Sequence, residues 1–147
     1  MTIKTDSSAG ADGIDIWFQH RVSYGETDMM GVVYYAEYFH IFERARNEII
    51  RSSGHSYKEV EAHALFLPVC EAHCRYRSPA RYDDLLNLHV RVTEWRHASF
   101  VFRYEMYDEK RERLLVEGYT KHAFVNAKGR PVAVPGWFRD MLAPKNT

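Results

Sequence analysis

One stretch of this sequence repeats with helical periodicity, and almost everything after it repeats every second residue. In the first stretch Tyr38, Phe42, Ala45 and Ile49 recur at spacings of four, three and four, which lays them along one side of an α-helix. Glu37, Arg44, Arg46, Asn47, Glu48 and Arg51 take much of the remaining surface, and Gly54 stands where a helix stops. The spacing predicts a helix over residues 34–52 with a single buried stripe. Ser56 followed by Glu59 predicts a second, shorter helix, because a serine hydroxyl at that distance caps the amide three residues on.

From Leu65 onward the period changes. Leu86, Leu88, Val90 and Val92 alternate with polar residues, and Phe100, Phe102, Tyr104 and Met106 do so again, as half-buried strands require. Further strands are predicted over residues 16–24, 69–77 and 114–125, with a hairpin loop over 108–113 and a helical turn after Pro135. A helix stripe that needs cover, followed by a meander of antiparallel strands, predicts an α+β fold in which a curved sheet wraps the long helix. Such a sheet has edges, and pairing them off predicts a dimer with a continuous sheet.

The chain has 147 residues, enough for one core, and is read as a tail over 1–14 and one domain over 15–147. Twenty basic and twenty acidic residues leave no overall field to draw in nucleic acid or an anionic bilayer. No apolar run approaches the roughly 18 residues of a membrane span, the N-terminus lacks the apolar stretch of a signal peptide, and a cytoplasmic location follows by default. Cys70 and Cys74, four residues apart in a predicted strand, are separated by roughly 13 Å, too far for a disulfide or one zinc shell, and are read as buried thiols. His63, His89, His97 and His122 are scattered without ligand spacing, so neither a metal nor another cofactor is expected.

The residues that can carry chemistry gather between the first strand and the long helix, in Tyr24-Gly25-Glu26-Thr27-Asp28-Met29-Met30-Gly31-Val32-Val33-Tyr34-Tyr35. Gly31 permits an unusual backbone and a close approach, and a helix N-terminus offers unpaired amides at its positive end. Such amides hold charge developing on a carbonyl oxygen, and a carboxylate beside them can act as base or nucleophile. Asp28 stands in that place, although turns and caps also favour aspartate, and the residues alone favour that plainer role. Glu43 on the helix ranks behind it, since Arg46 and Asn47 suit it for a structural pair. Arg77 and Arg81, with Arg91 and Arg96, are candidates for the phosphates of a nucleotide-like ligand. Asp83 and Asp84 read as a turn or as partners for arginine.

The segment ETDMMGVVYYAEYFHIFERAR resembles the D-x-x-G-x-V-[YF] signature, with its following helix, of the 4-hydroxybenzoyl-CoA thioesterase-like family, which includes the Tol-Pal-associated acyl-CoA thioesterases. YRSPARYDDLLNLHVRVTEWRHASFVFRYEM is similar to that family's second conserved stretch, and the likeness spans roughly residues 18–135. The resemblance implies a hotdog fold, dimers often doubled into tetramers, an active site at the dimer interface, and hydrolysis of an acyl- or aroyl-CoA. It gives Asp28 the role of attacking the thioester carbonyl or activating water, and the Tyr35 backbone amide the role of polarising that carbonyl. It gives substrate binding to Tyr24, Gly31, Val32, Val33 and Tyr34, and suggests Arg77 and Arg81 for coenzyme A. Many Tol-Pal-associated relatives have histidine where this chain has Tyr35, which keeps the amide role and leaves aliphatic and aromatic acyl groups equal candidates. Acyl-carrier-protein thioesters and a non-catalytic acyl-CoA-binding dimer are the alternatives, while the dehydratases of the same fold are disfavoured by the lack of an H-F-P-G-like segment.

Overall fold

A computed structural model describes residues 14–143. The tail expected over 1–14 lies outside them except for Ile14, which is buried and donates its amide to the Leu142 carbonyl at 2.8 Å. The elements run β1 (Asp15–Arg21), α1 (Glu37–Ser52), α2 (Tyr57–Ala62), β2 (Leu65–Phe66), β3 (Val69–Tyr76), β4 (Leu85–Thr93), β5 (Ser99–Tyr107), β6 (Leu114–Ala123), β7 (Val125–Asn126) and α3 (Gly136–Met141). The expected short helix is α2, with the Ser56 hydroxyl accepting from the Glu59 amide. No helix among the described residues is long and apolar enough to cross a membrane.

The main sheet is antiparallel throughout and has the order β1-β4-β5-β6-β3, while β2 and β7 form a separate pair. One long helix cupped by this sheet is the hotdog arrangement the resemblance implied. The strands do not follow one another as a simple meander, because β3 pairs with β6 at the edge opposite β1. The connection over residues 77–84 therefore crosses from the β3 edge to β4, the neighbour of the β1 edge, and on its way it meets the segment that precedes α1. Three boundaries also differ from expectation. The first strand, β1, ends at Arg21 rather than residue 24, because Val22 pairs with Asp83 and Asp84 and residues 24–26 coil into a 3-10 turn. The helix starts at Glu37 rather than residue 34, because the Val33 and Tyr34 amides are already committed to Ala80 and Glu26 carbonyls. The last long strand breaks at Phe124, whose amide turns to Ala98 while its ring is fully buried.

The alternating residues face as their period requires. Leu86, Leu88, Val90 and Val92 of β4 and Phe100, Phe102, Tyr104 and Met106 of β5 are buried in one core with the stripe of α1. The seat of the helix is Phe42, whose ring stacks on Tyr104 with centroids 4.2 Å apart and planes 1° from parallel. Gly118 lies opposite Tyr104 in the sheet and gives Phe42 room. A Cβ added at Gly118 would collide with the His73 carbonyl oxygen of β3 and stand 3.0 Å from the Phe42 ring.

The cysteine expectation is corrected by this topology. Cys70 is exposed and Cys74 half-buried, because β3 is an edge strand, and both are free thiols.

Gly118→Ala should therefore lose about 1–3 kcal/mol through overpacking against backbone, whereas Gly136→Ala, with nothing near its Cβ position, should change stability by much less. Urea denaturation of the two variants against the parent checks this, and equal effects would show that the close contact under Phe42 does not constrain the fold.

Candidate active site

The segment between β1 and α1 is held from three sides. A short 3-10 turn over Tyr24–Glu26 starts it. Thr27 and Val33 then face each other in an isolated bridge, the Asp28 amide donates to the Val32 carbonyl at 2.9 Å, and the Gly31 amide returns to the Asp28 carbonyl at 3.0 Å. This is a tight hairpin-like loop, and Gly31 at its turn has a φ of +79°, a conformation that a side chain would strain. The strand crossing behind it fixes its orientation: Val32 bridges Arg81, and the Val33 amide donates to Ala80 at 2.8 Å.

Asp28 is half-buried on this loop. Its Oδ1 accepts from the Met30 amide at 2.9 Å, the Asx-turn bond that the plainer sequence reading anticipated. That bond occupies one carboxylate oxygen, and Oδ2 has no hydrogen-bond partner among the described residues. The Asp28 charge is felt by two nearby phenols. Tyr34 is held above its ordinary pKa chiefly by its bond to Tyr35, and Tyr38 chiefly by burial, with Asp28 adding to both.

Tyr35 lies in the turn just ahead of α1, where the Glu37 amide closes onto the Tyr34 carbonyl. Its own amide donates to no backbone acceptor among the described residues, so it stays available, while its carbonyl accepts from the Tyr76 hydroxyl of β3 at 2.9 Å. Ala36, the N-cap, supplies no side-chain cap to the helix. Asp28 and an unclaimed amide thus stand at the two ends of one clamped loop. A carboxylate with a free oxygen and an unpaired N–H near a helix dipole form a pair suited to attack on, and polarisation of, a carbonyl.

The remaining expected residues separate. Gly31, Val32 and Tyr34 belong to the loop wall. Val33 is 3% exposed and points into the core, so it shapes the site through its backbone. Tyr24 is 78% exposed and edge-on to Tyr82, at 5.8 Å between centroids. Arg81 is brought to the loop, its guanidinium 3.9 Å from where a Gly31 Cβ would be, whereas Arg77 is engaged by Glu117 at 2.7 Å. Glu43 is displaced along α1 and lines a different hollow. Among the described residues no cluster of metal-binding side chains occurs.

Sequence reasoning missed what anchors the loop from below. Glu26 is 6% exposed, and its carboxylate accepts from His20 Nε2 of β1 at 2.9 Å, from the Ser23 amide at 2.7 Å and from the Ser23 hydroxyl at 3.0 Å. The Arg44 guanidinium of α1 stands 4.0 Å away, and the Glu26 carbonyl accepts from the Tyr34 amide at 2.9 Å. One residue therefore ties strand, loop and helix together two positions before Asp28. Ser23-x-x-Glu26 is itself a capping-box spacing, the signal by which it was legible.

Burial works to raise the Glu26 pKa, but the Ser23 amide and His20 outweigh it and hold the carboxyl below its ordinary value of 4.5. Because the folded pKa is depressed, the stabilisation is complete above about pH 4.5 and is lost as pH falls through the folded value. Glu26→Gln should lose about 1–3 kcal/mol at pH 7, with the gap to the parent closing in acid. Urea unfolding of both proteins from pH 7 to pH 3 checks it, and a gap independent of pH would contradict the charged assignment.

Residues 22–142 match the thioesterase-like superfamily. The acyl-CoA thioesterase YbgC of Haemophilus influenzae is 35% identical over 120 residues, which span 80% of this chain and 87% of that protein. The 4-hydroxybenzoyl-CoA thioesterase of a Pseudomonas species is 29% identical over 94 residues, 62% of this chain and 67% of that protein. The crystal structure of a hypothetical protein from Aquifex aeolicus superposes with a TM-score of 0.81 at 31% identity, covering 86% of this chain and 98% of that one.

Proposed function

The chain belongs to the thioesterase-like superfamily, and from that premise we propose that it hydrolyses an acyl- or aroyl-CoA thioester at the loop between Asp28 and Tyr35. The observation that carries the reading is the pairing of a carboxylate oxygen free of hydrogen bonds with an unclaimed amide at the entrance of α1. The thioester carbonyl oxygen accepts from the Tyr35 amide, and the α1 dipole favours the negative charge that develops there. Asp28 approaches the carbonyl carbon from the other side.

Two balanced routes use these groups. In one, Asp28 Oδ2 bonds to the carbonyl carbon and coenzyme A leaves as its thiolate, giving a mixed anhydride that water then hydrolyses. In the other, Asp28 takes a proton from a water whose oxygen attacks the same carbon, and the proton passes to the departing sulfur. Rapid-quench mass spectrometry of a single turnover separates them, since only the first route passes through an acyl group covalently bound to Asp28. Tyr24, Val32 and Tyr34 border the acyl group in either case, and Arg81 is better placed than Arg77 for coenzyme A phosphates because Glu117 already holds Arg77.

A second copy completes the site in this reading. Beyond Val69 to Tyr76 the outer edge of β3 has no partner strand among the described residues, and both faces of the strand are largely exposed. Met29, Met30, Tyr35 and Tyr76 add an exposed apolar patch beside the loop, of the sort that marks an interface. A dimer, alone or doubled into a tetramer, covers both. The cytoplasm, where coenzyme A thioesters are made and used, is the compartment this activity suits. The names of these relatives cover acyl-CoA in general and 4-hydroxybenzoyl-CoA in particular, so both acyl classes stay open for this chain.

Two outcomes test the reading. Asp28→Asn should lower kcat by about 10²–10⁴-fold with KM little changed, because the lost interaction belongs to the transition state; thiol release on a panel of aliphatic and aromatic acyl-CoAs measures it, and an unimpaired variant would remove Asp28 from the chemistry. Light scattering at micromolar concentration should report a dimer or larger, and a stable monomer would contradict the shared site.

A further inference from the structure

Two hollows lie along the flank of α1. One, of about 240 Å³, is bordered by Ala36, Phe39 and His40 of the helix and by Val69 and Ala72 of β3. The other, of about 210 Å³, is bordered by Asn47, Ile50, Tyr57, Leu67, Phe102 and His122. Glu43 and Arg46 border both, so the two hollows together mark a path along one flank of the helix, from Ala36 beside the proposed carbonyl position to Ile50. Arg46 is ten residues beyond Ala36, about 15 Å along the axis at a rise of 1.5 Å per residue.

The floor of that path is polar in a defined direction. Arg46 Nη1, which can only donate, lies 3.5 Å from the Tyr104 hydroxyl; Tyr104 is 2.7 Å from Thr120 Oγ1; Thr120 is 2.9 Å from His122 Nε2; and His122 Nδ1 is 2.9 Å from the Leu67 carbonyl, which can only accept. Burial pushes the His122 pKa down to about 4, so the ring is neutral at pH 7. Its proton must then be on Nδ1, Nε2 accepts from Thr120, and Thr120 accepts from Tyr104. Every donor in the chain is used, which leaves His122, Thr120 and Tyr104 with no hydrogen to donate to a ligand.

Arg46 differs. It spends one N–H on this chain and makes no ion pair among the described residues, although Glu43 is one helical turn away and carries an exposed carboxylate. A half-buried guanidinium with free donors and a nearby carboxylate that only accepts thus face the same path, whose apolar walls are Phe39, Val69, Ile50, Leu67 and Phe102. A hydroxyl satisfies both, accepting from Arg46 and donating to Glu43, while a carboxylate there would be repelled by Glu43. We propose that the path along α1 is an acyl-chain site and that Arg46 and Glu43 select chains bearing a hydroxyl roughly 15 Å from the thioester carbonyl. This rests on the thioesterase reading, and it names the substrate class as a long hydroxyacyl thioester rather than a single-ring aroyl group, which is too short to reach.

The test compares dodecanoyl-CoA, ω-hydroxydodecanoyl-CoA and the mono-CoA thioester of dodecanedioic acid on the parent protein, Arg46→Gln and Arg46→Met. In the parent, kcat/KM for the hydroxy chain should exceed that for the plain and dicarboxylic chains by on the order of tenfold, the range of one charge-assisted hydrogen bond. In both variants the hydroxy-over-plain ratio should fall toward one, and two substitutions guard against either failing to fold. Turnover of all three chains without a hydroxyl preference in the parent, or a preference that survives both substitutions, overturns this assignment and leaves the thioesterase reading standing. Absence of thiol release from all three chains by the folded parent overturns the assignment, and absence from the wider acyl- and aroyl-CoA panel as well overturns the thioesterase reading.

Discussion

The stacking of Phe42 on Tyr104 above Gly118 fixes how α1 sits in the sheet, and the rest of the molecule takes its position from that contact. Four turns of helix pivot on one aromatic pair, so a shift there would displace both ends of α1 together. Toward its N-terminus lies Tyr35 with its unclaimed amide, and one turn beyond Phe42 lies Arg46 with its polar chain through Tyr104. Tyr104 therefore serves twice: its ring seats the helix and its hydroxyl orders the buried polar groups beneath the flank. The burial of Thr120 and His122 is tolerable because each hydrogen-bonding group finds a partner in that chain.

The loop is fixed by a different means. It has little apolar anchorage of its own, since Met29 and Met30 project outward, and it is instead held by backbone bridges to residues 80 and 81 and by the buried Glu26 carboxylate. The crossing of the 77–84 connection behind the loop follows from β3 lying at the far sheet edge. Sheet order and site geometry are thus one constraint. A rigid loop matters for the proposed chemistry because attack on a carbonyl rewards donors and carboxylates that are already in place.

Much of this was legible in the residues. The 3.6-residue stripe of Tyr38, Phe42, Ala45 and Ile49 and the alternation in β4 and β5 are direct consequences of burial on one side, and the structure shows both as read. The Asp28 loop was legible through Gly31 and the nearby helix start. What was not legible depends on long-range pairing: β3 joining β6, the exposure of Cys70, and the helix beginning at Glu37 because Ala80 claims an amide from across the fold. Local pattern carries no record of such partners. Glu26 was an intermediate case, visible as a cap but not as the carboxylate that meets His20, because that contact requires β1 to lie beside the loop.

The central claim is that one carbonyl is gripped between the Tyr35 amide and Asp28. A crystal structure of Asp28→Asn with an uncleaved acyl-CoA tests it most directly. The account predicts the thioester oxygen within hydrogen-bond distance of the Tyr35 nitrogen and the carbonyl carbon facing residue 28. A thioester bound with its carbonyl away from the start of α1 would contradict it.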